Sequence, residues 1–338
     1  MSADPLEARG HGLTFVVLMV ALSTAASAYS GSTPVLVAMM AKDWQYSPAE
    51  SGGAVTAFTL GSTLGAVAVA GWIRRWHVRR ILALSMALAG GANLMLALHP
   101  GFRLVVALHL IAGLGTGAAN AAAVGYLVYG PTPHRDLAAL TMAQSLFAAL
   151  LLQAVVPGLP GGAQASGLFV LMALLMLVSW PAARQFRPTE VIPRAFRQGL
   201  LRPWGVGWIL LSMFLSFASA GVVWTFMAAH AQQSGLTEST ISDVLTAANV
   251  LSLLACLGVT WMARHGLYRW CVAMLLLSVV AAALLSMPLT PWRFGVGACA
   301  FLTGWTVASV IVPTLLPFYD PAGRRSALTP AVFGLGYA

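Results

Sequence analysis

The sequence predicts an all-α, polytopic membrane protein, and three observations predict it. The chain is 59% hydrophobic and only 8% charged, whereas a soluble domain carries about 25% charged residues. Its apolar residues fall into runs that match the roughly 20 helical residues needed to cross a hydrocarbon core about 30 Å thick. Its arginines lie in short segments between those runs. A net charge of +9 dispersed in this way leaves no basic stripe on a folded domain, so nucleic acid is not the partner and the lipid bilayer is.

In chain order the expected spans are roughly 13–40, 51–72, 81–98, 103–130, 137–157, 165–184, 204–229, 239–263, 268–287 and 293–318. An eleventh begins near residue 327 and reaches Ala338 too short to cross, so the chain reads as one truncated inside that span. The N-terminus does not read as a cleaved signal. Asp4, Glu7 and Arg9 precede an apolar run that is too long for a signal-peptide core.

Orientation follows from the stretch Gly71 to Leu82, which holds Arg74, Arg75, Arg79 and Arg80 between two apolar runs. Four arginines cannot sit in hydrocarbon, and the positive-inside rule puts their loop in the cytoplasm. With the N-terminus also inside, cytoplasmic segments hold 15 of the 18 Lys and Arg residues, and the outer loops hold only Lys42, Arg103 and Arg293. One missed or invented helix would spoil that split. The segment 185–203 carries Pro188, Pro193, Pro203 and several arginines and reads as a cytoplasmic linker. It separates a six-helix bundle, residues 1–184, from a second bundle, residues 204–338, that is incomplete in its eleventh helix.

The two halves echo each other at an interval of 190 residues. Ser47-Pro48-Ala49-Glu50 falls on Thr237-Glu238-Ser239-Thr240, Arg79 on Arg269, Arg103 on Arg293, and Pro131 and Arg135 on Pro321 and Arg325; Gly113 misses Gly304 by one. Several landmarks in one register point to an internal duplication. The second half is then expected to continue past Ala338 with counterparts of the fifth and sixth spans.

Two six-span halves joined by a basic linker resemble the major facilitator superfamily. Its signature between the second and third spans has the form Gly-x-x-x-Asp-Arg-x-Gly-Arg-Arg. Gly71, Arg79 and Arg80 match it, while Arg75, Trp76 and Val78 stand where the Asp, the first Arg and the second Gly belong. The second-half echo keeps Arg264 and Gly266, with Ala263 at the Asp position. Ser47 to Gly52 leading into Leu60-Gly61-Ser62-Thr63-Leu64-Gly65 adds to the likeness. So does His109-x-x-x-Gly113-x-Gly115-x-Gly117, where many members carry an arginine at the position of His109. The resemblance covers the whole chain and implies two bundles related by a pseudo-two-fold axis. It does not specify a substrate.

In the family the signature Asp is thought to help hold the cytoplasmic side shut. Arg75 cannot do so here. Asp136, at the start of the fifth span, is a substitute carboxylate, and we expect a cytoplasmic gate built from Gly71, Arg74, Arg75, Arg79, Arg80, Asp136, Arg264 and Gly266. The plainer reading of Asp136 is an acidic residue favoured by the helix dipole.

The resemblance places spans 1, 4, 7 and 10 around a central cavity. Tyr29, His109, Asn120, Trp224, Thr225, Trp305 and Thr306 lie on those spans, and Gln144 and Asn249 on spans 5 and 8 reach toward it. The expected substrate-binding set is Tyr29, His109, Asn120, Gln144, Trp224, Asn249 and Trp305. Each amide needs a partner in hydrocarbon, so a helix–helix hydrogen bond is the alternative role for each. His109 is the one titratable group well inside a span. It is a candidate proton carrier or anion holder, or else a histidine bonded to a neighbouring helix.

Other features exclude functions. Gly113 to Gly117 follow no strand and end in no Gly-Lys-Ser/Thr, so they read as close helix packing through small-x-x-x-small contacts such as Gly113/Gly117 and Gly61/Gly65, not as a nucleotide loop. Pro157 to Gly162 only faintly echo an antiporter signature and are expected to form an outer turn. His77, His99, His134, His230 and His265 have no ligand spacing, and Cys256, Cys271 and Cys299 read as buried hydrophobes, so no metal or other cofactor is expected. The spans hold no nucleophile cluster, so an intramembrane enzyme is the weaker alternative. A transporter-like sensor or assembly factor without flux is the other. The expectation is a monomeric secondary transporter, not an enzyme. It would move a small-molecule solute across a bacterial inner membrane by alternating access, with the proton as candidate coupling ion.

Overall fold

A computed structural model describes residues 13–72, 76–128, 133–155, 158–159, 163–183 and 203–319, together with 332 and 335–336. Among them there is no strand, and every long element is a helix. Among the described residues, nine segments are long and apolar enough to cross a membrane. A tenth helix, α4, is less apolar because it begins on Arg79 and Arg80 and carries Ser85, Gly90, Gly91 and Asn93, yet it packs against both neighbours in its bundle. These ten correspond to the ten expected spans. The eleventh, the linker 185–202, and Arg74 and Arg75 lie outside the described residues.

The first span is two helices, α1 (Leu13–Ala26) and α2 (Ala28–Asp43), joined through a turn at Ser27. Pro34 sits inside α2 and has no N–H to give to the carbonyl of Ser30, four residues back. That freed acceptor is used by the opposite bundle, as described below. Next comes α3 (Pro48–Trp72), which opens with a reciprocal cap. The Ser47 N–H donates to Glu50 Oε2 (2.9 Å), and the Glu50 N–H donates to Ser47 Oγ (3.2 Å). Pro48 occupies the first helical position, where a missing N–H is harmless.

The bundle continues with α4 (Val78–Leu96), α5 (Phe102–Val128), α6 (Pro133–Leu150) and α7 (Gln164–Ala183). A π-helical turn, Leu151–Val155, ends α6 where a plain α-helix was expected. The other end of α7 is tied down by Asp43, whose Oδ2 accepts from the Ala165 N–H (2.9 Å). In the second half α8 (Pro203–Gln233) is followed by α9 (Glu238–Leu257), α10 (Val259–Arg264), α11 (Leu267–Leu285) and α12 (Pro291–Tyr319). The expected span 239–263 is thus broken at Gly258, whose N–H tightens onto the Ala255 carbonyl three residues back (3.0 Å). Gly266, at φ 107, reverses the chain between α10 and α11. The start of α9 is capped by Thr237 Oγ1, which accepts from the Thr240 N–H (3.3 Å), at the position expected from Ser47.

Close glycine contacts lock the helices. A Cβ on Gly113 would lie 1.9 Å from the Phe58 carbonyl oxygen, and one on Gly117 2.0 Å from that of Ser62. In return, a Cβ on Gly61 or Gly65 of α3 would run into the carbonyl oxygens of Leu110 and Leu114. One on the intervening Gly115 would face α4 and lie 2.6 Å from the Ser85 oxygen. One on Gly304 of α12 would lie at the same distance from the Met274 oxygen of α11. Gly115 and Gly304 are 189 residues apart, as are Ser85 and Met274.

The apolar surface is turned outward as lipid requires. Val178, Val279 and Val280 are at least 64% exposed, and α11 buries little of its length. Interior packing divides into three clusters. One, around Met19, Tyr126 and Ile311, lies toward the end that carries Arg79, Arg135 and Arg269. The other two, around Tyr29 and Phe169 and around Trp224 and Phe294, lie toward the opposite end.

Candidate solute-binding cavity

A cavity of about 300 Å³ lies between the two sets of helices, walled by the Ser27 turn, α2, α3, α5 and α6 on one side and by α8, α9 and α12 on the other. Its lining starts near mid-helix at Phe58 and Leu302 and extends toward the arginine-bearing end through Ala66, Val124 and Leu137. Asn120, Gln144, Trp224, Asn249, Trp305 and Thr306 all line it, as the sequence suggested. No Asp, Glu, Lys, Arg or His is among its described lining residues.

Tyr29 and His109 do not line it. His109 shares a helical face with Asn120 but lies eleven residues earlier, about 16 Å along α5. There it is fully buried, with Nδ1 bonded to the Val105 carbonyl (2.8 Å) and its ring edge-on to Tyr29 and Phe169 at 5.7 and 5.5 Å. Tyr29 is stacked on Phe58 at 3.6 Å, and it is Phe58 that reaches the cavity. Both were placed by helix number; His109 lies too far along α5 to line the cavity, whereas Tyr29 is level with the lining residues Ser27, Ser30 and Gly31 and is covered by Phe58. Thr225 is likewise buried without lining the cavity.

The two walls differ in chemistry. On the first-half side, Gln144 Nε2 donates to Ser23 Oγ (3.3 Å), and Ser23 Oγ donates to Asn120 Oδ1. Ser23 is fully buried and ties α1, α5 and α6 together. The chain of donors leaves Asn120 Nδ2 and Gln144 Oε1 for the cavity. On the second-half side the wall is aromatic. Trp305 lies 6.2 Å from Trp224, 5.9 Å from Phe217 and 6.2 Å from Phe301. Asn249 adds one amide there, its Nδ2 donating to the Leu245 carbonyl of its own helix (2.9 Å).

Sequence reasoning missed Ser23, Phe217 and the serines at 27, 30 and 309. A serine in an apolar helix usually bonds its own backbone, as Ser32 does here, and nothing in the pattern separates Ser23 from it.

The halves are joined at the cavity wall, where Ser252 Oγ of α9 also donates to Ser145 Oγ of α6 (3.4 Å), and beyond it away from the arginines. Trp224 Nε1 donates to the Ser30 carbonyl freed by Pro34 (2.9 Å). Ser242 and Thr246 of α9 reach the Leu152 carbonyl and Gln153 Oε1 in the π-helical turn (3.4 and 3.3 Å). At the rim Lys42 Nζ meets Glu238 Oε1 at 3.3 Å. The expected gate at the other end is described in part. Asp136 is buried in the first turn of α6, Arg79 and Arg80 are exposed at the start of α4, Gly71 ends α3, Arg264 ends α10, and Gly266 makes the turn.

The fold and cavity define a polytopic helical membrane protein built around a central uncharged chamber. The family model of the Major Facilitator Superfamily matches residues 16–338, and the chain belongs to that superfamily. Among solved structures, 236 chains match. One is a point mutant of the nucleoside transporter NupG, with a TM-score of 0.66 over 95% of this chain and 88% of that one at 11% identity. No curated protein matches the sequence significantly.

Proposed function

We propose that this protein is a secondary transporter that carries a small uncharged solute through the chamber by alternating access. The observation that carries the reading is that both halves contribute walls to one polar chamber, with the Trp224–Ser30 and Ser145–Ser252 hydrogen bonds at its walls and the Ser242 and Thr246 bonds and the Lys42–Glu238 ion pair beyond the end away from the arginines. Rocking residues 1–184 against 204–338, with 185–203 as the tether, would exchange that closed end for the other. The equivalent contacts of Gly115 and Gly304 support treating the halves as repeats. The binding set is Asn120, Gln144, Trp224, Asn249 and Trp305, and the arginine-bearing end faces the cytoplasm of a bacterial inner membrane. The superfamily favours this over an enzyme. A nucleoside transporter among the structural neighbours favours flux over a sensor.

The test is solute uptake into proteoliposomes with and without an imposed pH gradient. Uptake that saturates and is lost in Trp305→Ala supports the proposal; binding without flux would replace it with a sensor. Proton coupling predicts faster uptake down the gradient. For the gate we propose that Asp136 pairs with Arg74, Arg75, Arg79 or Arg80. A double-mutant cycle on transport rate should show coupling for one of these pairs, and additive losses at all four would remove the gate.

A further inference from the structure

The amide atoms left free in the chamber form a pattern. Ser23 turns the oxygen of Asn120 toward itself with one hydrogen bond and engages one nitrogen donor of Gln144. Asn120 therefore presents N–H donors and Gln144 presents a carbonyl acceptor, and the shared serine holds the two amides side by side. Asn249, with its nitrogen bonded to its own helix, presents a second acceptor from the other half. A donor beside an acceptor is the complement of a C=O beside an N–H, the edge of a cyclic amide. Across the chamber Trp224, Trp305 and Phe217 offer flat faces on which a ring can stack. With no charged residue in the described lining, an ionised solute would lose its hydration without a counter-charge.

From these observations we propose that the chamber recognises a small, neutral, planar heterocycle carrying adjacent N–H and C=O groups, a lactam- or ureide-type ring. The ring stacks on the Trp305 side and pairs edge-on with Asn120 and Gln144. This rests on the transporter reading for its purpose, but its test is binding, which does not depend on flux. Ser23 is a positioning residue: it fixes which atom of each amide faces inward.

Purified protein in nanodiscs would be titrated with uracil and hypoxanthine, their N-methylated forms 1,3-dimethyluracil and 1-methylhypoxanthine, orotate and glucose. Binding would be read from tryptophan fluorescence and from the thermal unfolding midpoint. The expected result is saturable quenching and a raised midpoint with uracil or hypoxanthine, at least tenfold weaker binding after N-methylation, and none with orotate or glucose. Gln144→Leu should weaken binding tenfold or more, and Ser23→Ala should narrow the preference for the unmethylated ring. If a variant does not fold, the ligand series on the unaltered protein decides alone. Equal binding of methylated and unmethylated rings, preference for glucose or orotate, or no binding of either base would overturn the proposal. Binding without uptake would leave it standing and overturn the transporter reading.

Discussion

At the residue scale, Pro34 and Trp224 act as a pair although 190 residues separate them. A proline within a helix removes one intrahelical hydrogen bond and leaves an acceptor without its usual donor. Trp224 fills that vacancy from the other half through its indole N–H. Trp224→Phe keeps the ring and removes the donor, so we expect a loss of about 1 kcal/mol, seen as a lower thermal midpoint in detergent. An unchanged midpoint would mean that the Ser30 carbonyl finds another donor. His109 shows the limit of reading residues singly. Its type and span suggested a functional histidine, but its surroundings are Tyr29, Phe169 and its own backbone.

At the element scale, the pairing of α3 with α5 is decided by glycines. Gly113→Ala would drive a methyl group into the Phe58 carbonyl, whereas Gly53→Ala on α3 meets open space. The first should abolish or sharply reduce folded yield. The second should be neutral or stabilise by up to about 1 kcal/mol, since alanine is the better helix former. Size-exclusion profiles of the two variants side by side check this. The helix starts make a second comparison. Glu50→Ala removes the carboxylate that accepts from the Ser47 N–H and hydroxyl at α3, and Thr237→Ala removes the cap of α9. Each should cost about 1 kcal/mol, read from thermal unfolding. These elements were legible beforehand because caps and small-residue spacings are local. The π-helical turn at Leu151–Val155 and the break at Gly258 were not, because they depend on what the helix meets.

At the scale of the whole molecule, the Lys42–Glu238 pair bridges the halves at the rim beyond the chamber, with both side chains more than half exposed. Such a pair adds less than about 1 kcal/mol to stability. Its effect should instead appear in the balance between the two ends of the transport cycle. Lys42→Ala and Glu238→Ala should leave the unfolding midpoint within a degree or two yet show coupling in transport rate at low salt. That coupling should fade above roughly 0.5 M salt, where screening is short-ranged. Persistence at high salt would argue against an electrostatic latch.

The amino-acid sequence alone determined that this chain lives in lipid, where its ten described spans lie and which glycines bring helices together. It also supplied the resemblance to the superfamily and five of the seven expected chamber residues. Those features depend on hydrophobic run length, charge placement and local spacing, which the linear chain carries. The tertiary structure decided the rest. It set His109 too far along α5 to line the chamber and turned Tyr29 onto Phe58. It joined Trp224 to Ser30 across the two halves, and it used Ser23 to fix which face of each amide points inward. Depth and hydrogen-bond direction are properties of helices assembled against one another, so no single run of residues could have carried them.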